Sequence, residues 1–244
     1  MTLTNGVMMS WMTDETIRNA KKVLESDPIN KRQAIAGQLG ITEYKAREIL
    51  KELDHEPTAP VGPTMAVFDL ETTKLEGHFG RLLCGSILSC PGGAMRSFRW
   101  DDYSRTIADD KALSVAIRDA IEEHDISCGF FTKGFDIGFL NARLVWHGER
   151  KLDAMPHFDV MWGYKGWRGL KIGSSSMKNV SEYLGLDEQK MGVPKEIWVR
   201  AGTGDTEALD VIVERCESDV RVTLEIANHS LKNKLVKNPF AVYP

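Results

Sequence analysis

Two carboxylates, Asp69 and Glu71, follow an apolar run in the segment MAVFDLETT. The run predicts a strand over 65–70, and side chains two residues apart on a strand share one face. The two carboxylates therefore lie side by side at the end of the strand, where a divalent cation bound between them would relieve their repulsion. Solvated acids are also common at strand ends, so this pair alone does not define a site.

Two further acids lie where a carboxylate can have a chemical role. Asp136 begins a predicted helix over 136–147, and a helix-capping role is the simplest interpretation of this residue by itself. Asp219 borders the apolar stripe of a predicted helix over 206–231, where an unpaired carboxylate costs several kcal/mol. A structural ion pair or a bound metal ion would remove that cost.

The elements that position these acids indicate a mixed sheet with helices packed on it. Two strand-like runs are separated by Pro91-Gly92-Gly93, which predicts a hairpin turn, and helices then alternate with short strands. Beyond 65–70, the predicted strands are 81–90, 94–100, 127–131 and 156–161, and the predicted helices are 109–123, 136–147, 175–185 and 206–231.

The chain contains FDLETT, GFDIGFLNARL and CESDV, in that order, within about residues 65–230. These segments resemble the first, second and third motifs of the DEDD 3′–5′ exonucleases of the proofreading type. The resemblance implies an α/β, ribonuclease H-like fold and hydrolysis of phosphodiester bonds from the 3′ end of single-stranded DNA or frayed DNA ends. It also implies that Asp69, Glu71, Asp136 and Asp219 are the catalytic residues and the metal ligands, and that Asp159 in HFDVM is structural.

The chemistry of that family suits these residue types. Two divalent ions about 4 Å apart can stabilise both the attacking and the leaving oxygen of a phosphodiester. Carboxylate oxygens are ligands that Mg²⁺ and Mn²⁺ prefer, so the resemblance implies two Mg²⁺ or Mn²⁺ ions as cofactors. It also implies that Thr72 and Thr73 bind the terminal nucleotide.

The third motif departs from the family at the group that orients or deprotonates the attacking water. Family members usually have a Tyr four residues before the last Asp or a His five before it, whereas this chain has Arg215 and Glu214. Because arginine cannot act as a base at neutral pH, Glu214 and His157 are the alternative candidates. Weak activity, or nucleic-acid binding without catalysis on a nuclease fold, is therefore a competing hypothesis.

The stretch 160–181 contains no acidic residue and interleaves cations with aromatic rings, a pattern typical of single-strand binding. We expect a flexible loop that binds the substrate through Lys165, Trp167, Arg168 and Lys171. The alternative is a solvated loop whose tryptophans pack on the core. An RNA strand presents the same phosphates, so an exoribonuclease or RNA-processing nuclease is the second substrate hypothesis.

The N-terminal part is predicted to be a separate helical domain. Three prolines in 55–64 indicate a linker, which divides the chain into 1–54 and an exonuclease domain over 65–244. The run IAGQLGITEYKAREILKEL resembles the helix-turn-helix of bacterial regulators. That resemblance implies nucleic-acid contacts from Tyr44, Lys45, Arg47 and Lys51. A three-helix packing or protein-docking module is the alternative.

Composition excludes several other classes. The 244 residues contain 31 Lys+Arg and 35 Asp+Glu, so the net charge of −4 does not by itself indicate nucleic-acid binding. No run approaches the roughly 18 apolar residues of a membrane helix. The four cysteines show no C-x-x-C pairing, which argues against a zinc or disulfide framework and favours a reducing cytoplasm. The resemblance to the exonucleases and to the helix-turn-helix implies that this is the cytoplasm of a bacterial cell or a phage-infected host.

Overall fold

A computed structural model describes residues 14–26, 31–42, 46, 49, 62–165, 170–188 and 190–235. The chain divides into two compact units, which are described separately. The smaller unit ends at Gly62, and the larger one begins at Pro63. Within the described ranges, no helix combines the length and the apolar character needed to span a membrane.

In the smaller unit the structure describes two helices, α1 (Asp14–Ser26) and α2 (Lys31–Leu39). Gly40 follows α2 with a φ of 62°, the left-handed conformation with which many helices end. Ala46 and Ile49 are helical and buried. Among the described residues of this unit, the other buried core residues are Ala20, Val23 and Ile35.

The recognition residues predicted for the helix-turn-helix lie outside the described residues. They are Tyr44, Lys45, Arg47 and Lys51. The helix-turn-helix assignment therefore stays a prediction.

The larger unit is built on a five-stranded mixed sheet, which confirms the predicted fold class. Its spatial order is β3-β2-β1-β4-β5, with β1 antiparallel to β2, β2 antiparallel to β3, and β4 parallel to both β1 and β5. The strands are β1 (Met65–Thr72), β2 (Leu82–Cys90), β3 (Met95–Arg99), β4 (Ile126–Gly129) and β5 (His157–Asp159). The predicted hairpin turn joins β2 to β3, with Gly92 at a φ of 70°.

Six helices and a 3₁₀ turn (Val160–Gly163) complete the described part of this unit. The helices are α3 (Trp100–Tyr103), α4 (Lys111–Glu122), α5 (Asp136–Trp146), α6 (Met177–Leu184), α7 (Lys195–Gly202) and α8 (Thr206–Lys232). The sequence analysis predicted α4, α5, α6 and α8 but missed α3 and α7. A helix of four residues, such as α3, gives little apolar periodicity.

The sheet is covered on both faces. Alternate residues of β1 enter different cores: Ala66, Phe68 and Leu70 pack with α4 and α5, whereas Met65 and Val67 pack with residues of α6 and α8. Asp69 and Glu71 continue the second series. They therefore lie on the face of the sheet that α8 covers.

A buried ion pair holds the segment between β1 and β2. The Arg143 side chain on α5 donates to Asp110 at 2.7 Å and to the carbonyl oxygen of Gly77 at 2.9 Å. Asp110, at the start of α4, also accepts from the Leu82 backbone N–H at 2.9 Å and contacts His147 Nε2 at 2.7 Å. Although burial raises the pKa of Asp110, the hydrogen bonds from Arg143 lower it below its usual value.

Candidate metal centre

The centre begins at the carboxyl end of β1, where Asp69 and Glu71 project from one face. Their partners across β2 are Ser86 and Cys84. Asp69 is half-buried, and Glu71 is buried. The strand thus supplies two adjacent carboxylates, as the spacing predicts.

Helix α8 brings a third carboxylate to the same place. Cys216 Sγ lies 3.3 Å from the backbone oxygen of Asp69, which fixes the middle of α8 against β1. Asp219, one turn further along α8, is only 1% exposed. Carboxylate oxygens of Asp69, Glu71 and Asp219 all lie within 4.8 Å of one another, although Asp219 is far from the other two in the sequence.

The fourth predicted acid, Asp136, lies next to this group but is not part of it. It is the first residue of α5 and is 3% exposed. Its Oδ1 accepts a hydrogen bond of 3.1 Å from the backbone N–H of Leu70, the residue between Asp69 and Glu71. Phe135, not Asp136, is the N-cap residue of α5, so the Asp136 carboxylate supports β1 rather than capping the helix.

Burial and mutual repulsion perturb the acids of this centre. Burial and the nearby Asp219 raise the pKa of Asp69 to about 7, although Lys190 and Arg215 act in the opposite direction. Burial and the negative charge of Asp69 raise the pKa of Asp136 well above its usual value. Raised pKa values of this kind are typical of clusters of carboxylates that bind a cation at a functional site.

Two side-chain cations contact the group. The Arg215 guanidinium forms an ion pair with Glu71 and lies 3.1 Å from Asp219. Lys190 Nζ lies 2.6 Å from Oδ2 of Asp219. Arg215 also stacks on Trp198 of α7, with its guanidinium carbon 5.3 Å from the ring centre.

The donor set fits a hard divalent cation. All the candidate ligands are carboxylates, the type that Mg²⁺ and Mn²⁺ bind. Oδ1 of Asp219 is buried and has no hydrogen-bond partner among the described residues. A buried carboxylate oxygen without a partner is costly, and a metal ion would satisfy it.

The structure places the candidate bases outside this group. Glu214 is exposed on α8. His157 lies on β5, where Ser127 Oγ is 2.8 Å from Nδ1 and Thr132 Oγ1 is 2.7 Å from Nε2. Burial lowers the pKa of His157 to about 4. Glu214 and His157 therefore do not belong to the cluster of Asp69, Glu71 and Asp219.

The two threonines that follow the first motif make local hydrogen bonds. Thr72 Oγ1 donates to the carbonyl oxygen of Lys74 at 2.7 Å. Thr73 Oγ1 accepts from the backbone N–H of Arg81 at 3.0 Å. These bonds shape the turn after β1, and the predicted nucleotide contacts of both residues stay predictions.

The predicted substrate loop is described only in part. Trp167 and Arg168 lie outside the described residues, and Lys171 is exposed. Lys165 Nζ contacts two rings and lies 5.0 Å from the centre of the Phe131 ring and 5.3 Å from that of Trp162.

Phe131 and Trp162 are 38% and 51% exposed. We refer to Phe131, Trp162 and Lys165 as the aromatic platform.

The backbone that presents this platform is held by Asp159. Its carboxylate accepts from the backbone N–H groups of Phe131, Lys133 and Met161, at 2.9, 3.1 and 3.2 Å. Phe131 has a φ of 66°, a conformation that non-glycine residues adopt only when neighbouring contacts impose it. The expected structural role of Asp159 agrees with these bonds.

Several residues at this site escaped the sequence analysis. No motif marks Lys190 or Trp198, since both belong to connecting or short helical segments. The exposed position of Phe131 depends on its left-handed backbone, which composition does not reveal. The approach of Arg215 to Asp219 could have been predicted, because residues four apart on a helix are neighbours.

Comparison with known proteins supports the fold. A model of the RNase H superfamily matches residues 66–231. The family B DNA polymerase from the hyperthermophilic archaeon Pyrobaculum calidifontis is similar in structure, with a TM-score of 0.58 and 17% sequence identity. The similarity covers 72% of this chain and 25% of the polymerase chain. No curated protein matches the chain.

Proposed function

Because the chain belongs to the RNase H superfamily, we propose that its larger unit is a metal-dependent 3′–5′ exonuclease that acts on single-stranded DNA or frayed DNA ends. The observation that carries the proposal is the convergence of Asp69, Glu71 and Asp219 within 4.8 Å. Three buried or half-buried acids are rarely assembled without a cation to balance them.

Asp69, Glu71 and Asp219 would hold Mg²⁺ or Mn²⁺. When bound, a divalent ion supplies the positive charge that activates water and stabilises the phosphate during hydrolysis. The chain's own residues orient this group: β1 fixes the first two acids, and Cys216 fixes α8 against that strand. Asp136 adds negative charge beside Asp69 and holds the β1 backbone through Leu70.

The aromatic platform supports the preference for a single strand. It presents one ammonium group for a phosphate and two exposed rings for bases. Bases of a duplex are stacked on each other, so only an unpaired strand can offer its bases to these rings. Phe131 follows β4, whereas Asp69 and Glu71 lie at the end of β1. Because β1 and β4 are parallel, these residues are at the same edge of the sheet.

A second candidate function is nucleic-acid binding with weak catalysis or none. It is favoured by the ion pairs that Arg215 and Lys190 form with Glu71 and Asp219, which compete with a metal ion for the same oxygens. The absence of Glu214 and His157 from the three-acid group also favours it. An RNA substrate is compatible with the same chemistry.

Degradation of labelled oligonucleotides by the full chain tests the proposal. With a 5′-labelled single-stranded DNA and Mg²⁺ or Mn²⁺, we expect products that shorten from the 3′ end, and chelation should stop the reaction. An RNA of the same sequence and length, added as a competitor, ranks the two substrates.

Asp69→Asn should lower the rate by at least about 100-fold. Asp210→Asn, which removes an exposed acid from α8, is the matched control and should retain activity. Binding without cleavage in both metals would favour the second candidate. Equal cleavage by wild type and Asp69→Asn would contradict the proposed site.

A further inference from the structure

Arg215 and Lys190 already neutralise part of the metal centre. Their contacts are with Glu71 and Asp219, two acids that are 6% and 1% exposed. Because solvent ions screen buried charges poorly, these ion pairs strongly affect how much additional positive charge the centre accepts.

The charge of Arg215 is permanent and well fixed. Its guanidinium does not lose its proton at any physiological pH. The side chain is 13% exposed, stacks on Trp198 and lies one turn before Asp219 on the same helix. Its contacts with Glu71, Asp219 and Trp198 hold the guanidinium in place at the site.

The balance of charges distinguishes between one ion and two. Asp69, Glu71, Asp136 and Asp219 carry four negative charges when all are ionised. Without neighbouring cations, two divalent ions would neutralise them. Arg215 and Lys190 supply two of the positive charges, so one divalent ion brings the centre to neutrality, and a second would leave it strongly positive in a poorly solvated place.

The oxygens left available agree with a single ion. Asp69 forms no ion pair with any of the residues that the structure describes, and Oδ1 of Asp219 has no hydrogen-bond partner among them. Glu71 and Oδ2 of Asp219 are the groups in contact with the cations.

From these observations we propose that Arg215 takes the place of one of the two metal ions, so that the centre binds a single divalent ion. This inference rests on the proposed metal-dependent function and names the composition of its centre. Arg215 is a charge-compensating residue, and Lys190 assists it.

The number of Mn²⁺ ions bound by the full chain tests the inference. Electron paramagnetic resonance of free Mn²⁺, together with calorimetric titration, gives that number without any measurement of cleavage. Wild type is expected to bind one ion. Arg215→Met removes the charge but keeps an apolar chain against Trp198, and it is expected to bind two.

Two matched variants test whether the effect depends on a positive charge at position 215. Arg221→Met removes an arginine of the same helix that pairs with Glu188 and Glu217, and it should still bind one ion. Arg215→Lys keeps the charge and should also bind one. Circular dichroism melting establishes that each variant is folded.

Two results would overturn the inference: wild type binding two Mn²⁺ ions, or a folded Arg215→Met binding only one. If Arg215→Met does not fold, Lys190→Met, in which the substituted side chain is partly exposed, provides the test. We expect it to tighten Mn²⁺ binding by about tenfold, and an unchanged affinity would overturn the inference.

The outcome is distinguishable from that of the proposed function. A chain that binds one Mn²⁺ but degrades no oligonucleotide contradicts only the exonuclease proposal. A chain that degrades DNA with two ions bound contradicts only the single-ion inference.

Discussion

Replacing Asp136 with asparagine is expected to stabilise the metal-free protein. Asp136 is 3% exposed, and burial together with the charge of Asp69 raises its pKa well above the usual value. When the pKa of a carboxyl group is higher in the folded chain than in the unfolded chain, stability declines as the pH rises above the unfolded value of about 4. Asparagine keeps the oxygen that accepts from Leu70 but carries no charge.

The expected gain follows from the usual size of such effects. Removing an unpaired buried charge at a functional site raises the free energy of unfolding by about 1–2 kcal/mol. For a chain of this length, each kcal/mol raises Tm by roughly 2–4 °C, so Asp136→Asn should melt about 2–8 °C above wild type. The difference should shrink as the pH falls toward the unfolded value of about 4, because the carboxyl group of Asp136 is then protonated in the unfolded chain as well.

Asp159→Asn provides a matched control with the opposite expectation. Asp159 is also buried, but its two carboxylate oxygens accept from the backbone N–H groups of Phe131, Lys133 and Met161. An amide nitrogen cannot accept a hydrogen bond, so at least one N–H loses its partner at a cost of about 1–3 kcal/mol. This variant should therefore melt below wild type.

Calorimetric melting in the presence of a chelator, between about pH 5 and 8, checks both expectations. If Asp136→Asn and Asp159→Asn lower Tm by similar amounts, the argument from repulsion at Asp136 is wrong. The same Asp136→Asn protein is expected to lose about 100-fold in cleavage rate, because the metal centre loses a negative charge. Stability and activity should thus change in opposite directions.

Three further predictions concern other parts of the larger unit. Asp219→Asn should lower the cleavage rate by at least about 100-fold in the oligonucleotide assay, and a loss of less than about tenfold would show that Asp219 is not a metal ligand. Trp162→Ala should weaken single-stranded DNA binding by about tenfold in fluorescence anisotropy, whereas Tyr183→Ala, which removes an exposed ring from α6, should not. Equal effects of the two variants would show that the aromatic platform is not a specific binding site for DNA. Burial lowers the pKa of His157 to about 4, so the contribution of this residue to the free energy of unfolding is fully present above about pH 6.5 and is lost as the pH falls toward 4. His157→Gln should therefore reduce the pH dependence of the free energy of unfolding measured with urea, and an unchanged pH dependence would contradict this prediction.

Much of the larger unit could be predicted because its signals are local. The apolar run in MAVFDLET predicts the strand, and the two-residue period of a strand places Asp69 and Glu71 on one face. The long apolar stripe of α8 likewise predicts its packing and the position of Asp219 at the edge of the core.

Contacts between segments that are distant in the sequence could not be predicted in the same way. Nothing local to Lys190 indicates that its ammonium reaches Asp219, since the contact joins residues that are 29 positions apart in the chain. The hydrogen bond of Asp136 to the β1 backbone was also not predicted. By itself the helix-start position of Asp136 suggested a cap, whereas tertiary packing directs its side chain to the Leu70 N–H.

The buried pair of Arg143 and Asp110 couples parts of the chain that would otherwise open independently. Arg143 belongs to the helix that begins at Asp136, and its partners include Gly77 and, through Asp110, the Leu82 amide. Separation of this guanidinium from its carboxylate would leave a charge stranded in the interior, so partial opening here is strongly disfavoured. Amide hydrogen exchange at Leu82 should consequently proceed at the same slow rate as that in the middle of α5, as expected for one cooperative folding unit.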